Sequence, residues 1–184
     1  MSVTVPQRWW FVGVSGSGKT TYAKQVAARL GVTHLELDSV YHQAQWTPLD
    51  DESFRSRVRE VAHSPGWTMD GNYRVACPEI IDRVQVIVAV DLPKKLVMRQ
   101  VITRTVTRSV RDEELWNGNK EKWSNMLRWD PQKSIIRWAW TTYDITRQRV
   151  NWFEREANEK DIVFLRASSH REVQRLIDEQ LARA

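Results

Sequence analysis

Residues 13–20 have the types and the spacing of a loop that binds phosphate. They read Gly-Val-Ser-Gly-Ser-Gly-Lys-Thr, which fits the P-loop pattern. Glycines allow backbone N–H groups to point inward around phosphate oxygens, and a helix that starts there adds its partial positive charge. The lysine can bridge two phosphates, and the hydroxyl group after it can ligate Mg²⁺. The pattern therefore predicts that the chain binds the triphosphate of ATP with Mg²⁺. The predicted contacts come from Gly13, Ser15, Gly16, Ser17, Gly18, Lys19, Thr20 and Thr21.

The elements around this loop are those that such a site requires. Residues 8–14 predict a buried strand that leads into the loop, and residues 20–30 predict a helix that ends at Gly31. The remaining pattern predicts strands at 34–37, 67–69, 84–90 and 162–165, and helices at 52–63, 94–110, 122–128, 132–156 and 169–181. Strands that alternate with helices favour right-handed crossovers and a parallel sheet covered on both faces. We therefore predict one α/β domain over residues 1–184.

Carboxylates follow three of the predicted strands. Asp38 and Asp70 come at the carboxyl ends of the second and third strands, where parallel sheets place their ligand sites. Asp38 could hold Mg²⁺ through water or take the proton from an acceptor hydroxyl; the alternative is that it caps a helix. Asp70 is a second candidate for the water shell of Mg²⁺. Asp91 follows the fourth strand like a Walker B aspartate, but its Asp-Leu-Pro sequence favours a structural turn that caps the next helix.

Four arginines follow on one predicted helix and its end. Arg104 and Arg108 are four residues apart and so share a face, and Arg99 and Arg111 flank them. Guanidinium groups that converge on one face repel each other and need an anion or solvent between them. A positioned arginine that stabilises transition-state charge is worth roughly 10³–10⁵ in turnover. We predict that Arg104 and Arg108 are catalytic, and the alternative is a solvated helix face.

Composition limits the classes of protein that fit. The chain has 28 Lys/Arg and 23 Asp/Glu, but residues 94–155 hold 14 Lys/Arg against 7 Asp/Glu, a local charge of +7. Such a segment should face phosphates, nucleic acid or an acidic partner. No apolar run approaches the roughly 20 residues of a membrane-spanning helix, and residues 1–8 do not read as a signal peptide. A single cysteine, Cys77, excludes an internal disulfide, and we expect a cytoplasmic protein without a membrane partner.

Short motifs beyond the P-loop resemble those of a known family. They are Leu37-Asp38, Trp46, Asp70-Gly71-Asn72-Tyr73, Asp91-Leu92-Pro93 and Leu115-Trp116-Asn117-Gly118-Asn119. Over most of its length the chain resembles the nucleoside-monophosphate kinases, most closely an adenylate-kinase-related branch labelled topology-modulation protein. The resemblance implies a three-layer α/β/α P-loop NTPase fold with strand order 2-3-1-4-5. It also implies an acceptor-side insertion at 39–66 and an arginine- and tryptophan-rich helical lid at about 99–140.

The resemblance also implies roles for residues on the acceptor side. Adenylate kinases have Asp-Gly-Phe-Pro-Arg where this chain has Asp70-Gly71-Asn72-Tyr73-Arg74. By this likeness Asp38, Asp70, Gly71 and Arg74 bind the acceptor, with Arg74 on its phosphate. The arginines of the lid, in turn, clamp the transferring phosphoryl group. Because Asn-Tyr replaces Phe-Pro, the acceptor stays open, and a nucleoside monophosphate is one candidate.

Three functions remain to be compared. The leading hypothesis is an ATP-dependent kinase that acts on a small acceptor bearing a hydroxyl or a phosphate. The alternative is a nucleic-acid-binding or DNA-topology-modulating ATPase, which an isoelectric point near 9.6 and tryptophans among basic residues suggest. A GTPase is disfavoured because residues 119–122, Asn-Lys-Glu-Lys, lack the final aspartate of the guanine signature. The chain is also too short for a helicase or AAA module and shows no arginine finger in the expected context.

Overall fold

The computed structural model describes residues 5–110, 114–119 and 135–183, and five parallel strands form its sheet. The strand order is β2-β3-β1-β4-β5, so the predicted fold class and the order 2-3-1-4-5 are confirmed. The strands are β1 (Arg8–Gly13), β2 (Thr33–Glu36), β3 (Trp67–Asp70), β4 (Val86–Val90) and β5 (Val163–Ala167).

Helices cover both faces of this sheet. They are α1 (Lys19–Leu30), α2 (Leu37–Tyr41), α3 (Asp51–Ala62), α4 (Cys77–Ile80), α5 (Lys94–Val110), α6 (Ile135–Glu159) and α7 (His170–Leu181). Short 3₁₀ turns occur at Ala44–Trp46, Arg74–Ala76 and Trp116–Gly118. The sequence pattern did not predict α2 or α4, because each is a single turn without a readable period. The helix predicted at 122–128 and part of the predicted lid lie outside the described residues.

The central strands are buried on both faces, as expected for a parallel sheet. Alternate residues of β1 point to opposite sides, so Trp9 and Phe11 enter one core while Trp10 and Val12 enter the other. The Trp9 core contains residues of α1, α5 and α7, and the Trp10 core contains residues of α3, α4 and α6. Both indole N–H groups are satisfied, since Trp9 Nε1 donates to Pro6 O and Trp10 Nε1 donates to Gly71 O.

Charged partners hold the carboxylate at the end of β4. The Asp91 carboxylate lies 2.6 Å from Arg166 Nη2 in β5 and 3.1 Å from Arg147 Nε in α6. Arg166 also pairs with Glu154 of α6 at 2.8 Å. These two arginine partners agree with the structural interpretation of Asp91.

A second charged centre joins α3 to α4. Glu79 accepts hydrogen bonds from Arg55 and Arg59, at 2.7 Å to Arg55 Nη2 and 2.8 Å to Arg59 Nε. Its side chain is 9% exposed. The hydrogen bonds from Arg59, opposed by burial and assisted by those from Arg55, lower the pKa of Glu79 to about 2. Both arginines belong to the predicted acceptor-side insertion. Their guanidinium groups are already paired with Glu79.

We expect Glu79→Gln to lower the free energy of unfolding at pH 7 by roughly 1–3 kcal/mol, because two guanidinium groups lose a charged acceptor. The native pKa lies below the ordinary 4.5, so the wild-type advantage is complete above pH 4.5 and disappears as the pH falls toward 2. Denaturant unfolding of both proteins between pH 3 and pH 8 measures this difference.

The matched control is Glu179→Gln, which breaks the exposed pair between Arg175 and Glu179. Its effect should stay below about 0.5 kcal/mol, because exposed pairs contribute little. Equal effects of the two substitutions would contradict the role given to Glu79.

Candidate active site

Close contacts require two glycines in the loop between β1 and α1. Gly13 has φ 143° and Gly16 has φ 81°, values that residues with side chains rarely adopt. A Cβ on Gly13 would lie 2.5 Å from the carbonyl oxygen of Val90, and a Cβ on Gly16 would overlap the side chain of Val101. The loop is therefore enclosed between the end of β4 and the side of α5.

The N-terminus of α1 is suited to an anion. Its capping residue, Gly18, has no side chain, and the first turn carries no acidic residue. Lys19 is only 8% exposed, and within the described residues the buried Ser17 Oγ has no hydrogen-bond partner. Open N–H groups, a buried lysine and an unsatisfied hydroxyl at one helix end together fit a phosphate group.

Asn72 fixes the start of this loop, and sequence reasoning did not identify it. Its Oδ1 accepts a hydrogen bond from Gly13 N at 2.9 Å, and its Nδ2 donates to Gly13 O at 2.6 Å. The side-chain amide thus pairs with the backbone as a neighbouring strand would. The available signal was the replacement of an apolar residue by asparagine in the Asp-Gly-Asn-Tyr motif.

Thr20 and Asp70, both predicted to lie near Mg²⁺, are in contact. Thr20 Oγ1 donates a hydrogen bond of 2.6 Å to Asp70 Oδ2. Asp70 is 1% exposed, and its burial raises the pKa of the carboxyl group to about 6, although nearby Lys19 and the Thr20 hydrogen bond lower it. A buried carboxylate beside a P-loop hydroxyl fits Mg²⁺, which takes few protein ligands and keeps water and phosphate oxygens in its shell.

The second oxygen of Asp70 faces a ring nitrogen of His34. His34 Nδ1 lies 2.9 Å from Thr68 Oγ1, a hydroxyl that also lies 3.1 Å from Ala23 O. His34 Nε2 lies 3.4 Å from Asp70 Oδ1, and neither atom has a hydrogen-bond partner in the described chain. Burial, with Lys24, lowers the pKa of His34 to about 4, so the ring is neutral at neutral pH and this is not a salt bridge. A buried carboxylate oxygen beside the P-loop is therefore left without a hydrogen bond from the described residues.

Asp38 lies on the acceptor side of the site. It belongs to the first turn of α2 and does not cap that helix, whose capping residue is Glu36. Tyr73 OH donates a hydrogen bond of 2.6 Å to Asp38 Oδ1, and the same hydroxyl lies 3.5 Å from His42 Nε2. Burial and the Asp38 charge raise the pKa of Tyr73, so its hydroxyl keeps its proton. Since the charge of Asp38 also raises the pKa of Asp70, the two carboxylates are close enough to interact.

The predicted arginines occupy different surroundings. Arg104 of α5 reaches the P-loop, with its Nη2 3.4 Å from Ser15 Oγ, and Arg108 lies one turn further along the same helix. Arg74 lies instead over the ring of Trp152 in α6, 4.8 Å from the ring centre. The geometry thus brings Arg104 to the loop but directs Arg74 to α6. Arg111 lies outside the described residues.

A tyrosine and a histidine flank Gly18. Tyr22 OH lies 2.7 Å from His170 Nδ1, and a Cβ on Gly18 would lie 3.6 Å from His170 Cε1. The segment at 166–168 precedes this histidine. The side chain of Arg166 turns away to Asp91.

Comparisons with known proteins agree with this geometry. A family model described as an AAA domain matches residues 9–66, which contain the P-loop, α1, β2 and the insertion as far as α3. No curated protein matches the chain. Among solved structures, the chain is similar to a gluconokinase from Sinorhizobium meliloti 1021, with a TM-score of 0.52 and 15% identity over 98% of this chain and 93% of that chain.

These matches refine the sequence interpretation. The structural likeness supports the P-loop kinase fold, and at 15% identity it shows the fold alone. The AAA-domain model matches the nucleotide-binding part of the chain, so the expectation that nothing here resembles an AAA module is wrong for residues 9–66. The topology-modulation branch stays a prediction. No helix within the described ranges is long and apolar enough to cross a membrane.

We expect Asn72→Ala to weaken ATP binding about tenfold, a loss of about 1.4 kcal/mol. The reason is that the backbone of Gly13 loses both hydrogen bonds to the Asn72 side chain, so the ligand must order this residue when it binds. Titration with ATP measures the effect. The control is Asn151→Ala, which removes the same side chain from a hydrogen bond with Arg166; equal losses in both variants would contradict a local role for Asn72.

We expect Asp70→Asn to stabilise the ligand-free protein at pH 7.5 by roughly 1–3 kcal/mol. The asparagine can still accept from Thr20, and the substitution removes a buried charge whose second oxygen has no hydrogen-bond partner among the described residues. Because the native pKa of Asp70 is raised from 3.8 to about 6, the wild-type penalty is present above pH 6 and vanishes as the pH falls toward 3.8.

Thermal unfolding across this pH range, without nucleotide, measures the gain. The same variant should bind Mg²⁺-ATP more weakly, which separates stability from function. A less stable Asp70→Asn protein at pH 7.5 would refute this account of the Asp70–His34 contact.

Proposed function

We propose that the chain is an ATP-dependent phosphotransferase that moves the γ-phosphoryl group of ATP to a hydroxyl or phosphate of a small acceptor. The observation that carries this proposal is the arrangement around the P-loop. Asp70 contacts Thr20 on one side, and Arg104 contacts Ser15 on the other. Asp38, near enough to Asp70 to raise its pKa, supplies a second carboxylate beyond the loop. These residues thus form two groups, one beside the P-loop for the phosphoryl donor and one at Asp38 for the acceptor.

The donor half holds the triphosphate. The open N–H groups at the start of α1 and the ammonium group of Lys19 receive phosphate oxygens. Thr20, with Asp70 behind it, would hold Mg²⁺, which when bound neutralises charge on the phosphate oxygens. The hydroxyl of Thr20 can offer its oxygen outward while its hydrogen still donates to Asp70. Arg104 is positioned to stabilise the charge that develops on the transferring group.

The acceptor half deprotonates the nucleophile. Asp38 is the base, and Tyr73 orients its carboxylate by donating to one oxygen. This hydrogen bond fixes the orientation of the carboxylate, and its second oxygen, Oδ2, can receive the proton of an acceptor hydroxyl. Arg108, one turn beyond Arg104, is a further candidate for the phosphoryl group.

Two comparisons support this assignment over the alternative. A solved structure of similar fold is named a gluconokinase, and the AAA-domain model covers the P-loop and the insertion after it. The nucleic-acid-binding ATPase depends on the basic segment 94–155, but two of its cations are paired with carboxylates of the same chain. Lys94 pairs with Asp144 and Arg147 pairs with Asp91. We therefore favour the phosphotransferase.

We expect Lys19→Ala to reduce phosphoryl transfer from ATP by about 10²-fold or more, because the buried ammonium group stabilises the phosphates in the transition state. Transfer is measured as ADP formed and as phosphorylated acceptor, with nucleoside monophosphates, nucleosides and sugars as acceptors. Lys24→Ala, on the same helix but largely exposed, should retain activity. Intact transfer by a folded Lys19→Ala protein would sink the proposal.

A further inference from the structure

Three rings cluster beside Asp38, on the acceptor side of the proposed site. His42 lies 5.5 Å from Trp46 and 6.2 Å from Trp116 between ring centres, and the two tryptophan rings are perpendicular at 6.4 Å. We call these three residues the acceptor ring cluster. His42 Nε2 lies 3.5 Å from Tyr73 OH, which donates to Asp38. The cluster is therefore continuous with the carboxylate assigned as the base.

Two asparagines hold the cluster together across a long separation in sequence. Asn119 Nδ2 donates to Gln43 O, and its Oδ1 accepts from Trp46 N, both at 2.9 Å. Asn117 Nδ2 donates to His42 O at 2.6 Å. The segment at 114–119 is thus fastened to the insertion by side-chain amides that bond to backbone groups.

The backbone at this junction is strained. Gln45, Trp46 and Asn117 have φ values of 58°, 59° and 56°, in the left-handed region that bulky residues avoid. Such conformations cost of order 1–3 kcal/mol each and persist where the surroundings fix them, commonly at ligand sites. The strain does not serve burial, because Trp46 remains 40% exposed. It holds an indole ring at the surface, 5.5 Å from the ring of His42, which in turn lies beside the Tyr73 hydroxyl that donates to Asp38.

Among the residues that the structure describes, the charges around the acceptor ring cluster are unfavourable for a phosphate. Arg55 and Arg59 of the insertion are paired with Glu79, and Arg74 lies over Trp152. The carboxylate of Asp38 adjoins the cluster, and Glu114 Oε1 lies 3.9 Å from the Cβ position of Gly118 in the docked segment. An acceptor that carried a phosphate would meet carboxylates here, and like charges repel.

From these observations we propose that the acceptor is a neutral ring compound bearing hydroxyl groups, which stacks on Trp46 and presents one hydroxyl to Asp38. This inference rests on the proposed phosphotransfer and narrows its acceptor. The acceptor oxygen forms a bond to the γ-phosphorus, the bond from that phosphorus to the β–γ bridging oxygen breaks, and ADP leaves. The hydroxyl proton passes to Asp38. A free sugar and a nucleoside share this chemistry, since both combine an uncharged ring with hydroxyl groups.

The test compares acceptors that differ by one phosphate. Transfer from ATP is measured to a set of monosaccharides, to nucleosides and to the corresponding nucleoside monophosphates. We expect the sugars or the nucleosides to have kcat/KM values at least about tenfold above those of the monophosphates, since stacking is retained and repulsion is removed. The sugar arm and the nucleoside arm distinguish the two sources of a neutral ring.

Variants separate this inference from the proposed function. Trp46→Ala should raise the acceptor KM roughly tenfold or more through lost stacking and leave the KM for ATP unchanged. Asn119→Ala should act in the same direction, because it releases the backbone of Trp46. The control is Trp140→Ala, a more exposed tryptophan on α6, which should change neither constant.

Each outcome decides the matter. A monophosphate preferred over its own nucleoside overturns the neutral acceptor and leaves phosphotransfer standing. An unchanged acceptor KM in Trp46→Ala also overturns it. Absence of transfer to every acceptor, with ATP binding intact, overturns both the neutral acceptor and the proposed function.

Discussion

The buried carboxylate of Asp70 is the constraint around which the site is built. A charge that is 1% exposed is costly, and its neighbours offset the cost only in part. Thr20 donates to one oxygen and Lys19 is close, but the other oxygen has no hydrogen-bond partner among the described residues. The ligand-free site therefore keeps a charge that the fold alone does not satisfy. A cation bound beside Thr20 would supply the positive charge that the protein itself does not provide for this carboxylate.

The P-loop beside Asp70 is held from two directions. Asn72 pairs with both backbone groups of Gly13 on the β3 side, and Val101 of α5 packs on Gly16 from the other. Asn72 follows Asp70, the last residue of β3, by two residues. The same short segment therefore carries the buried charge and fixes the loop. The loop is thus positioned before any ligand binds, which reduces the ordering that binding would otherwise require.

The sequence was sufficient for the parallel sheet and for the position of the P-loop between a strand and a helix. The P-loop spacing, the apolar strand run at 84–90 and the alternation of elements predicted this sheet, because these signals are local in the chain. The strand order came instead from the resemblance to the nucleoside-monophosphate kinases. The acceptor half was different. The contacts of Asn72 with Gly13, of Asn119 with Trp46 and of Arg74 with Trp152 join residues that no period connects. Glu79 was likewise not predicted, although it pairs with two arginines of the predicted acceptor-side insertion.

The segment at 114–119 gives the two halves a physical connection. It follows α5, whose Arg104 contacts Ser15 and whose Val101 packs on the P-loop. Its asparagines in turn grip the backbone of His42, Gln43 and Trp46 in the insertion. Side-chain amides therefore hold this segment against the acceptor side, through hydrogen bonds that need close distances and favourable angles. The strained backbone at Gln45 and Trp46 lies beside these hydrogen bonds, so the contacts that present the rings also fix the strained residues.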